Sequence, residues 1–149
     1  MTQERVILLV EDNPTDEKLT VRTLRRSNIA NEIIVAHNGE EALNILFGSE
    51  DEAGKELGIL PTVMLLDLKL PKINGLEVLR RVRAHERTHL LPVVVLTSST
   101  EECDIIQSYN LGANSYVRKP VDFDQFSEAV RQLGLYWVLV NQPLPKQSP

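Results

Sequence analysis

Five short apolar runs alternate along the chain with segments of helical pattern. The runs occupy residues 6–10, 33–36, 62–66, 93–96 and 115–118. The most apolar of them lack the polar alternation of a half-solvated strand, which is typical of strands buried on both faces. Strands that alternate with helices form a parallel sheet with right-handed crossovers and helices on both faces. We therefore predict an α/β fold, a doubly wound parallel sheet of five strands with five helices.

The chain length of 149 residues fits one domain with a proper core. The sequence contains no internal repeat, low-complexity tract or linker to a second domain. A last helical pattern begins at Phe123, and its apolar stripe continues past Gly134 to about Asn141, where Pro143 stops it. We predict a single domain over residues 1–141 with an extended last helix, followed by a C-terminal tail over residues 142–149.

Charge and cysteine content exclude several classes of protein. The 16 basic and 21 acidic residues give a net charge of −5, which argues against nucleic-acid binding through the phosphate backbone. The single cysteine, Cys103, fits a reducing compartment. The N-terminus is too poor in apolar residues for a signal peptide, and no run approaches the length of a membrane span. We expect a soluble, cytoplasmic protein without a nucleic-acid or membrane partner.

Polar residues follow four of the apolar runs. They are Glu11-Asp12, Asp67, Thr97-Ser98 and Lys119. The carboxyl ends of parallel strands meet at one edge of a sheet, where open α/β sheets bind ligands. Carboxylates that crowd there repel each other unless a cation compensates, and Mg²⁺ is the natural cation for an oxygen-rich site. Carboxylates, a divalent metal, a lysine and a hydroxyl together suit phosphoryl transfer, with Asp67 as the candidate nucleophile.

Each of these residues also has an ordinary structural interpretation. Asp12 or Asn13 could simply cap a helix, and Asp67 could cap a turn. Thr97 could be an ordinary strand-end residue and Lys119 a solvated surface charge. The functional interpretation depends on all of them ending strands of one sheet, which is far less frequent by chance than any one of them alone.

Four segments together resemble the receiver domain of two-component response regulators. They are VEDN at residues 10–13, LLDLKLPKINGLEVL at 65–79, LTSS at 96–99 and YVRKP at 116–120. The resemblance spans roughly residues 5–133 and implies the strand order 2-1-3-4-5 of flavodoxin and the chemotaxis receiver. The long segment 48–61 and the tail containing Tyr136-Trp137 are similar to the single-domain regulators that partner bacterial phytochrome kinases.

The resemblance implies a phosphoacceptor and a metal site. Asp67 would accept a phosphoryl group from a sensor histidine kinase, and the similarity to phytochrome-associated regulators implies a kinase of the phytochrome type. Asp12 would bind Mg²⁺ or Mn²⁺ directly, together with Asp67 and the backbone carbonyl of Lys69. Glu11 would be the second acid and could act through water; many receivers have aspartate at this position.

The resemblance also implies a phosphate-binding set and a switch. Thr97, Ser98 and Lys119 would contact the phosphoryl oxygens. Tyr116 would move inward when Thr97 is drawn toward the phosphoryl group. Such a protein is a signalling protein, not an enzyme, apart from assisting its own phosphorylation and hydrolysis, and it would act as a stand-alone receiver.

The sequence is also compatible with two rival functions. Aspartyl-phosphate phosphatases and phosphotransferases also place an aspartate after an apolar strand, but they usually carry a second acid two residues later, where this chain has Lys69. A scaffold that keeps the fold without being phosphorylated is the other rival, and the intact set of site residues argues against it.

The end of the last helix is predicted to be apolar on every side. Apolar residues outside the core stripe there are candidates for an interface: Leu135, Tyr136, Trp137, Val138 and Leu139. They could fold back on their own domain, but exposed apolar patches usually mark interfaces. We therefore expect a homodimer or a kinase-docking surface at this end of the chain.

Overall fold

A computed structural model of the chain describes residues 6–26, 31–48, 58–97, 107, 109–119 and 121–132. The strands are β1 Val6–Val10, β2 Glu32–Ala36, β3 Val63–Asp67, β4 Val93–Thr97 and β5 Ser115–Arg118. The helices with full bounds are α1 Pro14–Arg26, α2 Gly39–Phe47, α3 Gly75–Ala84 and α4 Phe123–Gln132. The helix predicted between β4 and β5 lies largely outside the described residues, and so does the predicted extension of α4 to Asn141.

The five strands form one parallel sheet in the order β2-β1-β3-β4-β5. The fold class and strand order predicted from the sequence are therefore confirmed. Val10 of β1 pairs with Leu66 of β3, and Asp67 pairs with Leu96 of β4. This register places the residues that follow β1 beside the end of β3, at the carboxyl edge of the sheet. The strand β3 includes Asp67, one residue beyond the predicted apolar run.

The core has two parts, one on each face of the sheet, because successive strand residues point to opposite faces. On one face, Leu8 and Val10 pack under α2 and α3; on the other, Ile7 and Leu9 pack under α1 and α4. Each fully buried large apolar side chain stabilises the fold by about 1.5–3 kcal/mol relative to its exposed state.

The helices pack against the sheet through apolar faces. In α3, Val78, Leu79 and Val82 are buried and Leu76 is partly buried. In α4, Phe126 is 1% exposed and anchors the helix to the sheet.

Asparagine side chains cap the helices that follow β1, β2 and β3. The Oδ1 atom of Asn13 accepts hydrogen bonds from the backbone of Thr15 and Asp16, at 2.9 and 3.0 Å. Asn38 and Asn74 accept in the same way at the starts of α2 and α3. Each cap satisfies backbone N–H groups that have no partner within the helix. These caps fix the helix starts at the carboxyl edge of the sheet.

Gly75 allows α3 to begin directly against the end of β3. A Cβ atom at this position would collide with the backbone carbonyl of Asp67, so only glycine fits. Within the described parts of the chain, no helix is long and apolar enough to cross a membrane.

Candidate functional site

Three acidic side chains meet at the carboxyl edge of the sheet. Glu11 follows β1 and is fully buried, Asp67 ends β3 and is 4% exposed, and Asp12 is exposed. One carboxylate oxygen from each of the three lies within 4.8 Å of the others. Hard oxygen donors at this spacing suit Mg²⁺ or Mn²⁺, which bind carboxylates and water. The residues predicted as side-chain metal ligands are thus brought together.

Glu11 has a perturbed pKa. Burial and the neighbouring charge of Asp67 raise the pKa of Glu11 from 4.5 to about 7, although its hydrogen bond with Lys119 opposes the shift. Its Oε2 atom also accepts a hydrogen bond from the Asn13 backbone at 3.2 Å. A carboxyl whose charged form is disfavoured in this way gains stabilisation from any cation that enters the cluster.

Lys119 supplies the positive charge of the site. Its Nζ atom donates hydrogen bonds to Glu11 Oε1 at 2.9 Å, Asp16 Oδ2 at 2.9 Å and Asp67 Oδ2 at 3.1 Å. Burial alone lowers the pKa of Lys119, but the hydrogen bonds with Glu11 and Asp16 and the charge of Asp67 outweigh it, so the pKa is raised. The ammonium group therefore stays charged, and all three of its N–H groups point at carboxylates.

Asp16 is the member of the site that sequence reasoning missed. An acid in the first turn of a helix is common because it interacts favourably with the helix dipole, so its pattern carries no sign of a further role. Its partner Lys119 lies 103 residues away in the chain. The contact between Asp16 and Lys119 could have been inferred only from the arrangement of the strands. That arrangement places β1 beside β3 and puts Lys119 after β5.

The loop after β3 holds the remaining oxygen of Asp67. The backbone N–H of Lys69 donates a hydrogen bond to Asp67 Oδ1 at 3.2 Å. Leu68 and Leu70 are buried and anchor this loop, while the Lys69 side chain is exposed. The Lys69 backbone is thus beside the acidic cluster, and its predicted role as a carbonyl ligand stays a prediction.

The predicted phosphate-binding and switch residues are described only in part. Thr97 ends β4 and pairs with Arg118 of β5, but its side chain and the whole of Ser98 lie outside the described part of the structure. Tyr116 is partly buried on β5, where its ring meets that of Tyr109 edge-on with centroids 5.5 Å apart. The interface candidates at residues 135–139 also fall outside the described residues.

The fold and this acidic edge agree with the family to which the sequence belongs. Residues 7–131 match the response regulator receiver domain. The chain is a member of this family. Receiver domains are signalling domains, and their partners are histidine kinases. The resemblance predicted from the four sequence segments is therefore confirmed.

Two known regulatory proteins are similar to this chain over most of their length. The chain is 38% identical over 137 residues to the probable methanogenesis regulatory protein FilR2 of Methanothrix harundinacea, covering 92% of this chain and 86% of FilR2. It is 36% identical over 134 residues to the response regulator Rcp1 of Synechocystis sp., covering 90% of this chain and 89% of Rcp1.

Solved structures show the same similarity. The bacteriophytochrome response regulator RtBRR is 50% identical with a TM-score of 0.80, covering 96% of this chain and 86% of that chain. The Mn²⁺-bound form of Rcp1 is 35% identical with a TM-score of 0.71, covering 95% and 99%. The phosphorylated cyanobacterial phytochrome response regulator RcpA is 33% identical with a TM-score of 0.73, covering 97% and 100%.

Proposed function

We propose that the protein is a stand-alone response regulator receiver that accepts a phosphoryl group from a histidine kinase on Asp67, with Mg²⁺ or Mn²⁺ as cofactor. The observation that carries the proposal is the arrangement around Asp67. One of its oxygens faces the Lys119 ammonium group at 3.1 Å, the other accepts from the Lys69 backbone, and two further acids lie beside it. A phosphorylated form of RcpA and a Mn²⁺-bound form of Rcp1 support the same chemistry in similar proteins.

In the proposed transfer, a carboxylate oxygen of Asp67 forms a bond to phosphorus. The phosphorus–nitrogen bond of the kinase phosphohistidine breaks, and its electron pair stays on the imidazole nitrogen. A divalent cation held by Glu11, Asp12 and Asp67 would neutralise charge on the phosphoryl oxygens. The Lys119 ammonium group would stabilise the same charge, because it already lies within hydrogen-bond reach of Asp67.

The proposed switch follows from the added charge. Phosphorylation of Asp67 adds about −1.5 to −2 charge and three strong acceptor oxygens. Thr97, Ser98 and Lys119 would bind those oxygens, and Tyr116 would follow Thr97 inward. This reorganisation biases a two-state equilibrium of the surface formed by β5 and its neighbours.

Labelling with acetyl phosphate tests the proposed phosphorylation site. The wild type with Mg²⁺ is expected to gain the mass of one phosphoryl group in intact-mass spectrometry, whereas Asp67→Asn should gain none, because an amide is a poor nucleophile. Asp124→Asn makes the same change in the exposed first turn of α4 and should be labelled like wild type. Chelation of the divalent cation should stop the labelling.

Undiminished labelling of Asp67→Asn would refute the site, and labelling that survives chelation would refute the metal requirement. Turnover of small phosphate esters would instead favour a phosphatase, a rival that the exposed lysine at position 69 disfavours. A wild type that is never labelled would leave the scaffold as the better description.

We also propose the kind of partner and the assembly. RtBRR is named a bacteriophytochrome response regulator and RcpA a phytochrome response regulator, which supports a phytochrome-type histidine kinase as the phosphoryl donor. The apolar residues 135–139 are proposed to form a homodimer contact. A cytoplasmic location is proposed because the single cysteine fits a reducing compartment.

A further inference from the structure

Asp16 contacts Lys119, but it is not one of the described acids that could hold a metal ion. Its Oδ2 atom lies 2.9 Å from Lys119 Nζ, as close as the Glu11 oxygen and closer than the Asp67 oxygen. The described acids whose oxygens gather within 4.8 Å are Glu11, Asp12 and Asp67, and Asp16 is not among them. Asp16 therefore contributes to the site through its bond to Lys119 and not as a candidate metal ligand.

Helix capping does not account for this contact. Asn13 and Asp16 stand three residues apart, a spacing at which the second side chain often bonds back to the backbone N–H of the first. Here the Asn13 N–H donates to Glu11 Oε2 instead, at 3.2 Å. The Asp16 carboxylate therefore does not bond the Asn13 N–H, whereas the Asn13 side chain accepts a hydrogen bond from the Asp16 backbone N–H at 3.0 Å. The local structure aims the carboxylate at Lys119.

The contact decides where the Lys119 ammonium group lies. An ammonium group has three N–H donors, and those of Lys119 are divided among Asp16, Glu11 and Asp67. Lysine has a long flexible stem and no built-in orientation, so its position depends on such partners. When Asp67 becomes phosphorylated, its bond to Lys119 must be exchanged for a bond to a phosphoryl oxygen. The bond to Asp16 can persist throughout that exchange.

We propose that Asp16 is a positioning residue for phosphoryl transfer, which holds the Lys119 ammonium group beside Asp67 while Lys119 changes partner. The proposal rests on the proposed function, because it gives Asp16 a role in phosphorylation of Asp67. In this role Asp16 acts only through Lys119, because it contacts the Lys119 ammonium group and is not among the described acids that could hold a metal ion.

The rate of phosphorylation by acetyl phosphate tests the proposal. Asp16→Asn is expected to slow labelling of Asp67 roughly fivefold at saturating Mg²⁺, the size expected for one partly exposed ion pair. Glu17→Gln removes a charge from the next residue, whose carboxylate bonds His37, and should stay within about twofold of wild type. Asp124→Asn gives the same control in α4. High salt screens long-range charge effects, so a slowing that persists there reports the contact.

A spectroscopic measurement separates positioning from a general loss of structure. The partly buried, hydrogen-bonded ammonium group of Lys119 should give a slowly exchanging ¹H–¹⁵N signal in the wild type. Asp16→Asn should shift or broaden that signal, whereas both controls should preserve it. If Asp16→Asn does not fold by circular dichroism, Asp16→Ser, which suits a first helical turn, replaces it.

The outcomes for Asp16 and for Asp67 are distinguishable. A wild-type labelling rate in the Asp16 variant, or an unchanged Lys119 signal, overturns the positioning role. Labelling of Asp67→Asn, or no labelling of wild type, counts against the proposed function. The Lys119 signal is recorded without a phosphodonor, so it tests the contact in either case.

Discussion

Glu11 combines complete burial with a position next to Asp67 and Lys119. Its folded-state pKa of about 7 exceeds the ordinary glutamate pKa of 4.5 because burial and the charge of Asp67 disfavour the carboxylate. The folded protein therefore retains a proton on Glu11 at pH values where the unfolded chain has lost it. Stability from this group is fully present below about pH 4.5 and is lost as the pH rises through about 7.

Unfolding in urea at several pH values tests this property of Glu11. In chelator-containing buffer, the wild type should lose on the order of 1–3 kcal/mol of unfolding free energy between pH 5 and 8 relative to Glu11→Gln, which cannot titrate. Glu77→Gln is the matched control. Its hydrogen bonds with Arg80 and Arg81 lower the pKa of Glu77 to about 2, so its contribution is constant in this range. Equal pH dependence in wild type and Glu11→Gln would contradict the raised pKa.

At the scale of elements, Arg83 connects the end of α3 to the amino-terminal edge of the sheet. Its guanidinium group donates to the backbone carbonyls of Gly112 at 2.9 and 2.7 Å and of Leu91 at 2.7 Å. It also donates to Asn114 Oδ1, which in turn accepts from the Val93 backbone. These bonds join α3 to the segments that lead into β4 and β5.

Replacement of Arg83 by lysine tests that connection. Lysine retains the charge but cannot reproduce the planar fork of donors, so Arg83→Lys should lower the unfolding free energy by about 1–3 kcal/mol. Arg81→Lys is the control, since Arg81 is exposed on the same helix and pairs with Glu77; we expect less than about 0.5 kcal/mol there. Labelling of Asp67 should be unchanged in both variants, because Arg83 acts at the opposite edge of the sheet. A change for Arg83→Lys no larger than for Arg81→Lys would contradict this role.

The strands and the acids at their ends could be predicted because each produces a local sequence pattern. An apolar run of strand length and an acid directly after it are visible without knowing the partner strand. The contacts of Asp16 and Arg83 could not be predicted in the same way. Both residues sit on helical turns where a charged side chain is ordinary, and their partners Lys119 and Gly112 lie 103 and 29 residues away. Such contacts depend on how the elements pack, which local patterns do not encode.

At the scale of the whole molecule, the site and the proposed dimer contact lie on different parts of the chain. Phe126 and Ala129 bury one side of α4 against the sheet, and the apolar pattern of the sequence continues beyond Gln132. Residues 135–139, LYWVL, add apolar side chains outside the stripe that continues from Phe126. Two copies of the chain could bury these side chains against each other, which removes apolar surface from water at about 25 cal/mol per Å².

Light scattering coupled to size exclusion tests this assembly. The full chain should elute with about twice its mass of 16.8 kDa, and a chain truncated after Leu133 should elute as a monomer. Leu139→Glu should weaken the dimer by placing a charge in an apolar contact, whereas Gln142→Glu adds the same charge beyond the apolar segment and should leave it intact. Labelling of Asp67 by acetyl phosphate should persist in the truncated chain, because the described residues that gather around Asp67 all precede residue 120. A monomeric full chain, or a dimer that survives truncation, would contradict a contact at residues 135–139.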